Sequence, residues 1–389
     1  MKSGWAIKKL GEVCEEVKDR TSSIGVVLSA YITTDNMLKD CAGVCEAENL
    51  PPKVTNLVKF RKGDVLLSNI RPYLKKVWLA DRDGGASSDV IVFRACSKEI
   101  HPRYIWQALA RDEFFNYSML NVSGTKMPRG KREWIKQFEI PIPPLPEQKR
   151  IVAKIDAAFE KIDKLKANAE RNLKNAKELF QSALDEAMRP KDGWVEKRLG
   201  EVAEIQRGGS PRPIKDFITK NKDGYNWIKI GDVDPSGKFI TSTAEKIRKE
   251  GLRKTRQVFA GEFLLSNSMS FGRPYILKID GCIHDGWLVL RGFQKFYKED
   301  FFYHLLRSKW IQNQFNSLAY GSTVRNLNSN SVSNVIVPIV ALEEQQEIAD
   351  SLDRLQSQAG VLQQNYSKQI ADCMEMRQAV LREAFEGRL

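Results

Sequence analysis

The side chains whose type and spacing suit them to chemistry are arginines and lysines set among glycine and proline, and the chemistry they suit is the holding of phosphate. In the first half, Arg71 and the pair Lys75-Lys76 follow an apolar run, and Lys126, Arg129, Lys131 and Arg132 crowd a stretch that also holds Gly124, Pro128 and Gly130. In the second half, Arg207-Gly208-Gly209-Ser210-Pro211-Arg212 reads as a flexible basic loop. Arg248 to Arg256 holds five cations, Arg253 and Lys254 among them, and Arg273 and Arg325 stand in turn-like contexts. Either cation can settle on phosphate, and arginine can also read base edges in the major groove. A formal net charge of +13 over 389 residues points the same way, toward a polyanionic partner, with nucleic acid first. For each residue taken singly, a solvated basic face remains the plain alternative.

Catalytic constellations are missing. The chain has no G-x-x-x-x-G-K-[ST] phosphate loop, no strand-borne G-x-G-x-x-G, no H-E-x-x-H and no nucleophile elbow. It also lacks the N/D-P-P-Y/F signature of enzymes that methylate amino groups on bases. His101, His284 and His304 are scattered and read as structural or surface residues. Cys41 and Cys45 are four apart but have no second Cys or His pair at zinc-ligand spacing, so no metal site is expected. We expect no catalytic residue in this chain. No apolar run approaches a membrane span and no signal-peptide core precedes the first repeat, so a cytoplasmic protein without a membrane partner is expected.

The elements that must position these cations occur twice. Trp5 to Val13, WAIKKLGEV, returns as Trp194 to Val202, WVEKRLGEV, identical at six of nine positions. Gly63-Asp64-Val65-Leu66-Leu67-Ser68-Asn69 is echoed by Gly261-Glu262-Phe263-Leu264-Leu265-Ser266-Asn267, a glycine turn feeding a short buried strand. Arg71-Pro72-Tyr73 matches Arg273-Pro274-Tyr275, and Pro141-Ile142, Leu145 and Glu147-Gln148 match Pro338-Ile339, Leu342 and Glu344-Gln345. Strands are expected at Val54 to Phe60, Val65 to Leu67, Val77 to Ala80, Val90 to Phe93, Asn226 to Ile230, Phe263 to Leu265 and Leu288 to Leu290, with helices over 102–120 and 299–318. The fold class is α+β: two duplicated mixed α/β domains, each on a twisted, mostly antiparallel sheet.

A long helix follows each globule. Ile151, Ile155, Ala158, Ile162, Leu165, Ala169, Asn172, Ala176, Leu179 and Ala183 alternate steps of four and three. Ile348, Leu352, Leu355, Ala359, Leu362, Tyr366, Gln369, Cys373, Met376 and Val380 repeat the pattern 197 residues later. These are heptad seams, and pairing them is the economical way to cover both; packing each helix on its own globule is the alternative. Asn172 and Gln369 share one seam position, where a polar pair would fix register. The resulting division is 1–146, helix 147–189, 190–342 and helix 343–389. If the helices run antiparallel, the chain approximates a pseudo-two-fold dimer in one polypeptide. A helix of this length measures roughly 63 Å, against roughly 34–36 Å for a turn of B-DNA, so the globules would read two half-sites separated by a gap.

The duplicated W-x-x-x-x-L-G-E-V openings and G-D/E-x-L-L-S-N strands carry a family resemblance. So do Ser123-Gly124-Thr125 through Ile140-Pro141-Ile142-Pro143-Pro144-Leu145-Pro146-Glu147-Gln148, and Gly321-Ser322-Thr323-Val324-Arg325 through Gln345. Together they resemble the specificity subunit of type I restriction-modification systems. The resemblance implies two target-recognition domains joined by an antiparallel coiled coil of spacer helices, each domain reading one half of a bipartite DNA sequence. It implies two DNA adenine methyltransferase subunits that use S-adenosylmethionine, and restriction subunits that act as ATP-driven nuclease and translocase. No cofactor is implied for the specificity subunit itself. Where the first copy has Pro143-Pro144-Leu145-Pro146 the second has Val340-Ala341-Leu342-Glu343, which would make the entry into the second helix less rigid.

Overall fold

The computed structural model describes residues 4–50, 56–234, 237–267, 271–319 and 326–389. They divide into two compact units, one of Met1–Glu170 with Ser367–Leu389 and one of Arg171–Tyr366. The expected strand start at Val54 and the cation Arg325 lie outside the described residues.

Unit one holds a four-stranded antiparallel sheet in the order Cys14–Glu16, Val90–Ala95, Val65–Ser68, Val77–Leu79. A second sheet runs Arg20–Ser22, Asn56–Phe60, Gly84–Ala86, Tyr31–Ile32, its last pair parallel. Val65 and Leu67 face the helices in one core, while Leu66 on the opposite face joins Phe60, Trp78 and Val92 in another. Both faces of the central strand are covered, which is why its sequence is an unbroken apolar run and not an alternation.

Unit two follows the same plan with one more strand per sheet. Its first sheet is Glu204–Arg207, Trp287–Arg291, Phe263–Ser266, Pro274–Leu277, Phe239–Ile240. Phe263 and Leu265 face the helical core and Leu264 the inter-sheet core.

The repeated motifs make the same contacts in each unit. In the first, strand Ala6–Lys9 pairs with Glu139–Ile142, the Lys9 N–H donates to Glu12 Oε2 at 2.8 Å, and the Leu10 N–H to the Phe138 carbonyl at 2.8 Å. In the second, Val195–Arg198 pairs with Ile336–Ile339, with the Arg198 N–H on Glu201 Oε2 at 2.7 Å and the Leu199 N–H on the Val335 carbonyl at 2.7 Å. Buried Gln148 accepts from the His101 N–H (2.9 Å) and donates to the Glu99 and Pro143 carbonyls. Gln345 accepts from the Lys298 N–H (2.9 Å) and donates to the Phe296 and Val340 carbonyls. Both helix entries are therefore tied by the same three bonds, and the loss of prolines before the second does not free it.

The helices expected at 102–120 and 299–318 are each split. Pro102–Leu109 and Asp112–Met119 are separated by extended Arg111, and Glu299–Arg307 and Lys309–Leu318 by Ser308, whose hydroxyl caps the second helix. The first long helix is Leu145–Ala187, since Pro146 is tolerated in a first turn, and the second is Leu342–Phe385, followed by Gly387 at φ +78°.

Within unit one, the start of the first long helix and the end of the second run antiparallel. Arg377 pairs with Asp163 and lies 4.0 Å over the Phe159 ring, while Arg150 donates to the Leu389 carbonyl. Both also enter the globule's core through Ile151, Val152, Ile155, Ile162, Cys373, Leu381 and Phe385. Within unit two, Phe180, Leu184 and Met188 share a core with Ala349, Leu352 and Ala359, and Ile348 and Leu355 pack against it half-buried. Helix pairing and docking on the globule thus occur together.

The seam departs from a strict heptad. Leu165, Leu179, Leu362 and Met376 are 54%, 51%, 38% and 47% exposed, and Gln369 is exposed, while Phe180 and Leu184 are buried where Leu179 and Ala183 were expected. A helix with 3.6 residues per turn drifts about 20° per heptad against a 3.5-residue repeat, so after several heptads the buried stripe moves by one residue.

Candidate nucleic-acid interface

In each unit the central strand ends in Ser-Asn, and the candidate cations gather around that end. In unit one, Asn69 receives the Gly130 N–H on its carbonyl (3.0 Å) and donates its own N–H to the Asp89 carbonyl (2.8 Å). Gly130 belongs to a two-stranded ribbon, Val122–Ser123 with Arg129–Gly130, whose tip carries exposed Lys126. The Arg71 N–H donates to the Pro128 carbonyl at 2.7 Å, and Ile70 bridges to Arg129. Arg71 sits at φ +50°, a left-handed conformation kept in place by its bond to the ribbon beside it. Arg71, Lys126, Arg129 and Lys131 are thus brought together, with Arg129 3.3 Å from Asp89.

Two neighbouring cations serve the frame. Arg132 pairs with Glu16 and donates to the Ser88 carbonyl, and Lys136 pairs with Glu16 at 2.8 Å. Burial works against the Glu16 carboxylate, but the hydrogen bonds from Lys136 and Arg132 hold its pKa below the usual range. The stacked rings of Tyr117 and Trp134 brace the loop from below, 4.8 Å apart. Lys75 lies away from the ribbon, its ammonium 2.6 Å from Asp112, and Lys76 donates to the Thr34 carbonyl. Their charges are used within the unit.

In unit two, Asn267 receives the Leu327 N–H (2.9 Å) and donates its N–H to the Gly286 carbonyl (2.9 Å). Its side-chain amide donates to the Asp285 carbonyl at 2.8 Å, which also takes Arg207 Nε at 3.0 Å. Ser210 Oγ donates to Asp285 Oδ1 at 2.6 Å, and Arg212 lies 3.8 Å from the same carboxylate. The hydrogen bond from Ser210 holds the Asp285 pKa below its ordinary value.

The Gly208-Gly209 pair is demanded by close approach and not by flexibility. A Cβ on Gly208 would lie 2.3 Å from the His284 carbonyl oxygen, and one on Gly209 would lie 2.8 Å from that of Lys254. This brings the turn carrying Arg253 and Lys254 beside Arg207, and Arg256 Nε reaches the Arg207 carbonyl at 3.4 Å. Arg273 is exposed, with its N–H on Ser266 Oγ. His284 accepts the Gly286 N–H on Nδ1, and burial pushes its pKa down, so it shapes the turn as a neutral ring.

Sequence reasoning missed Asp89, Asp285 and Glu16 because it searched for positive charge. The signal available was Asp285-Gly286 and Ser88-Asp89 immediately before a β run, a turn pattern. Among the described residues, no group of three or more His, Cys, Asp or Glu side chains converges as a metal site, and no helix is long and apolar enough to cross a membrane.

Two sheets backed by split helices, a basic loop at the end of the central strand and a long helix, all occurring twice, define a class of tandemly duplicated α+β folds. The type I restriction-modification DNA specificity domain matches over residues 2–175 and again over 191–370, and the chain belongs to that family. It is 29% identical over 131 residues to the EcoDI specificity subunit of Escherichia coli, a match covering 34% of this chain and 29% of that protein. It is 23% identical over 385 residues to the MjaVIII specificity subunit of Methanocaldococcus jannaschii, covering 90% and 85%. A solved structure described as the basis of complex assembly and conformational transition of the type I system superposes with a TM-score of 0.81 at 25% identity, over 100% of this chain and 99% of the other.

Proposed function

We propose that the chain is the DNA-reading subunit of a type I restriction-modification complex. Residues 1–146 and 190–342 each read one half of a bipartite double-stranded target, and the helices at 147–189 and 343–389 set the gap. The chain directs two DNA adenine methyltransferase subunits, and restriction subunits with them, to that target. It supplies no catalytic group; S-adenosylmethionine and ATP are bound by those partners.

One observation carries this reading: the same Ser-Asn strand end is bonded to different neighbours in each unit, Gly130 beside Arg129 in the first, and Leu327 and, through the Asp285 carbonyl, Arg207 in the second, a fixed frame with a variable reader. The exposed apolar positions of the helices support the pair of methyltransferase partners. Leu165 and Leu362 are 197 residues apart, as are Leu179 and Met376, so each unit offers one member of each equivalent pair to solvent. Scattered exposed leucines need no explanation, but exposure at matched repeat positions fits two copies of one partner docking alike.

The test is methyl transfer from labelled S-adenosylmethionine to DNA. The chain alone should transfer nothing, the methyltransferase subunits alone should show no sequence preference, and the assembly should methylate one two-part sequence. Transfer by the isolated chain would overturn the reading.

A further inference from the structure

In each unit the turn leading into the strand paired beside the central one, Val90–Ala95 or Trp287–Arg291, puts a carboxylate among the cations of the interface. Asp89 stands one residue before Val90, its carboxylate 3.3 Å from Arg129 and its carbonyl held by the Asn69 N–H. Asp285 stands two residues before Trp287, and its carboxylate takes the Ser210 hydroxyl at 2.6 Å and faces Arg212 at 3.8 Å. Its carbonyl is fixed by Asn267 Nδ2 and Arg207 Nε. Both side chains are 39% exposed, so both would meet the approaching ligand.

A negative charge at a surface meant for a polyanion lowers affinity, and asparagine at either position would bind DNA more tightly in general. What the carboxylate supplies is a competitor. A guanidinium resting on a fixed aspartate is held in one orientation, which suits a bidentate contact with a matching base edge, while the carboxylate's charge repels the phosphates on which a loose arginine would settle. Discrimination is a difference between two affinities, and weakening the unwanted one enlarges it.

We propose that Asp89 and Asp285 are the paired specificity-determining residues of the two units, each aiming the arginines beside it and restraining binding to DNA of any sequence. The proposal rests on the reading of the two loop clusters as the DNA interface.

The experiment uses the full chain assembled with its methyltransferase subunits, carrying Asp89→Asn or Asp285→Asn. The probes are a duplex bearing the sequence that the unsubstituted assembly methylates, duplexes altered in one half of it, and an unrelated duplex, each titrated across a salt series. Either variant should bind the unrelated duplex several-fold more tightly. Each should also lose preference in one half only, by about tenfold, the scale of one base mismatch. Should Asp285→Asn fail to assemble, Ser210→Ala loosens the same carboxylate without removing its charge. That variant should lose preference in the same half with no gain on the unrelated duplex. Unchanged or weaker binding to the unrelated duplex in the Asn variants, unchanged preference, or equal loss in both halves would overturn the proposal. An unsubstituted assembly with no preference at all would instead remove the interface reading on which it stands.

Discussion

Lys126 and Arg129 lie on one ribbon, yet their loss should read differently. Lys126 is exposed at the ribbon tip and suits phosphate; Lys126→Ala should weaken binding evenly across sequences and lower the salt slope by about one. Arg129, engaged by Asp89, suits base reading, and Arg129→Ala should cost preference in one half-site with a smaller change in slope. Salt titrations on matched and mismatched duplexes separate the two, and identical behaviour of both variants would contradict the division. Gly208→Ala tests the frame instead. The added methyl meets a main-chain carbonyl at 2.3 Å that cannot swing aside, so denaturant unfolding should show a loss of roughly 1–3 kcal/mol, and an unmoved midpoint would be contrary. At this scale the sequence displayed the cations but not their partners. That Lys75 is used by Asp112, and Arg132 by Glu16, depends on segments distant in sequence meeting in space.

Among elements, the joint between globule and long helix differs between the units. Gln107 Nε2 donates to Asp156 at 3.0 Å in unit one, where unit two has His304 Nε2 at 2.6 Å from Asp353 Oδ1, with Lys238 and Arg307 nearby. His304 is fully buried, and burial pushes its pKa below the ordinary histidine value despite the carboxylate. Below about pH 6.5 the unfolded chain takes up a proton that the folded ring refuses, so this contribution to stability is present above that pH and lost as pH falls through it. His304→Gln should therefore flatten the fall in unfolding free energy between about pH 7 and pH 5 relative to the unsubstituted chain. An unchanged slope would contradict the assignment. Element types were legible because apolar runs and periods survive in a single sequence. The breaks at Arg111 and Ser308 were not, since neither is a proline or glycine and tertiary packing sets the extended residue there.

For the whole molecule, duplication was the most legible property, because matched motifs such as Leu10-Gly11-Glu12-Val13 and Leu199-Gly200-Glu201-Val202 make identical bonds in both units. The seam was legible at Ile151, Ile155, Ile162, Ala169 and Ala176, and toward the end of the first long helix the buried stripe moved by one residue, to Phe180 and Leu184. If helix length sets the gap between half-sites, inserting one matched heptad into both long helices should lengthen the preferred gap, and the same gap before and after would dismiss that role. The most direct measurement maps every methylated adenine in DNA from cells expressing this chain with its methyltransferase subunits. The account predicts one sequence in two short defined parts, separated by a fixed number of unspecified bases. Methylation within a single continuous motif, or at adenines with no shared context, would contradict it.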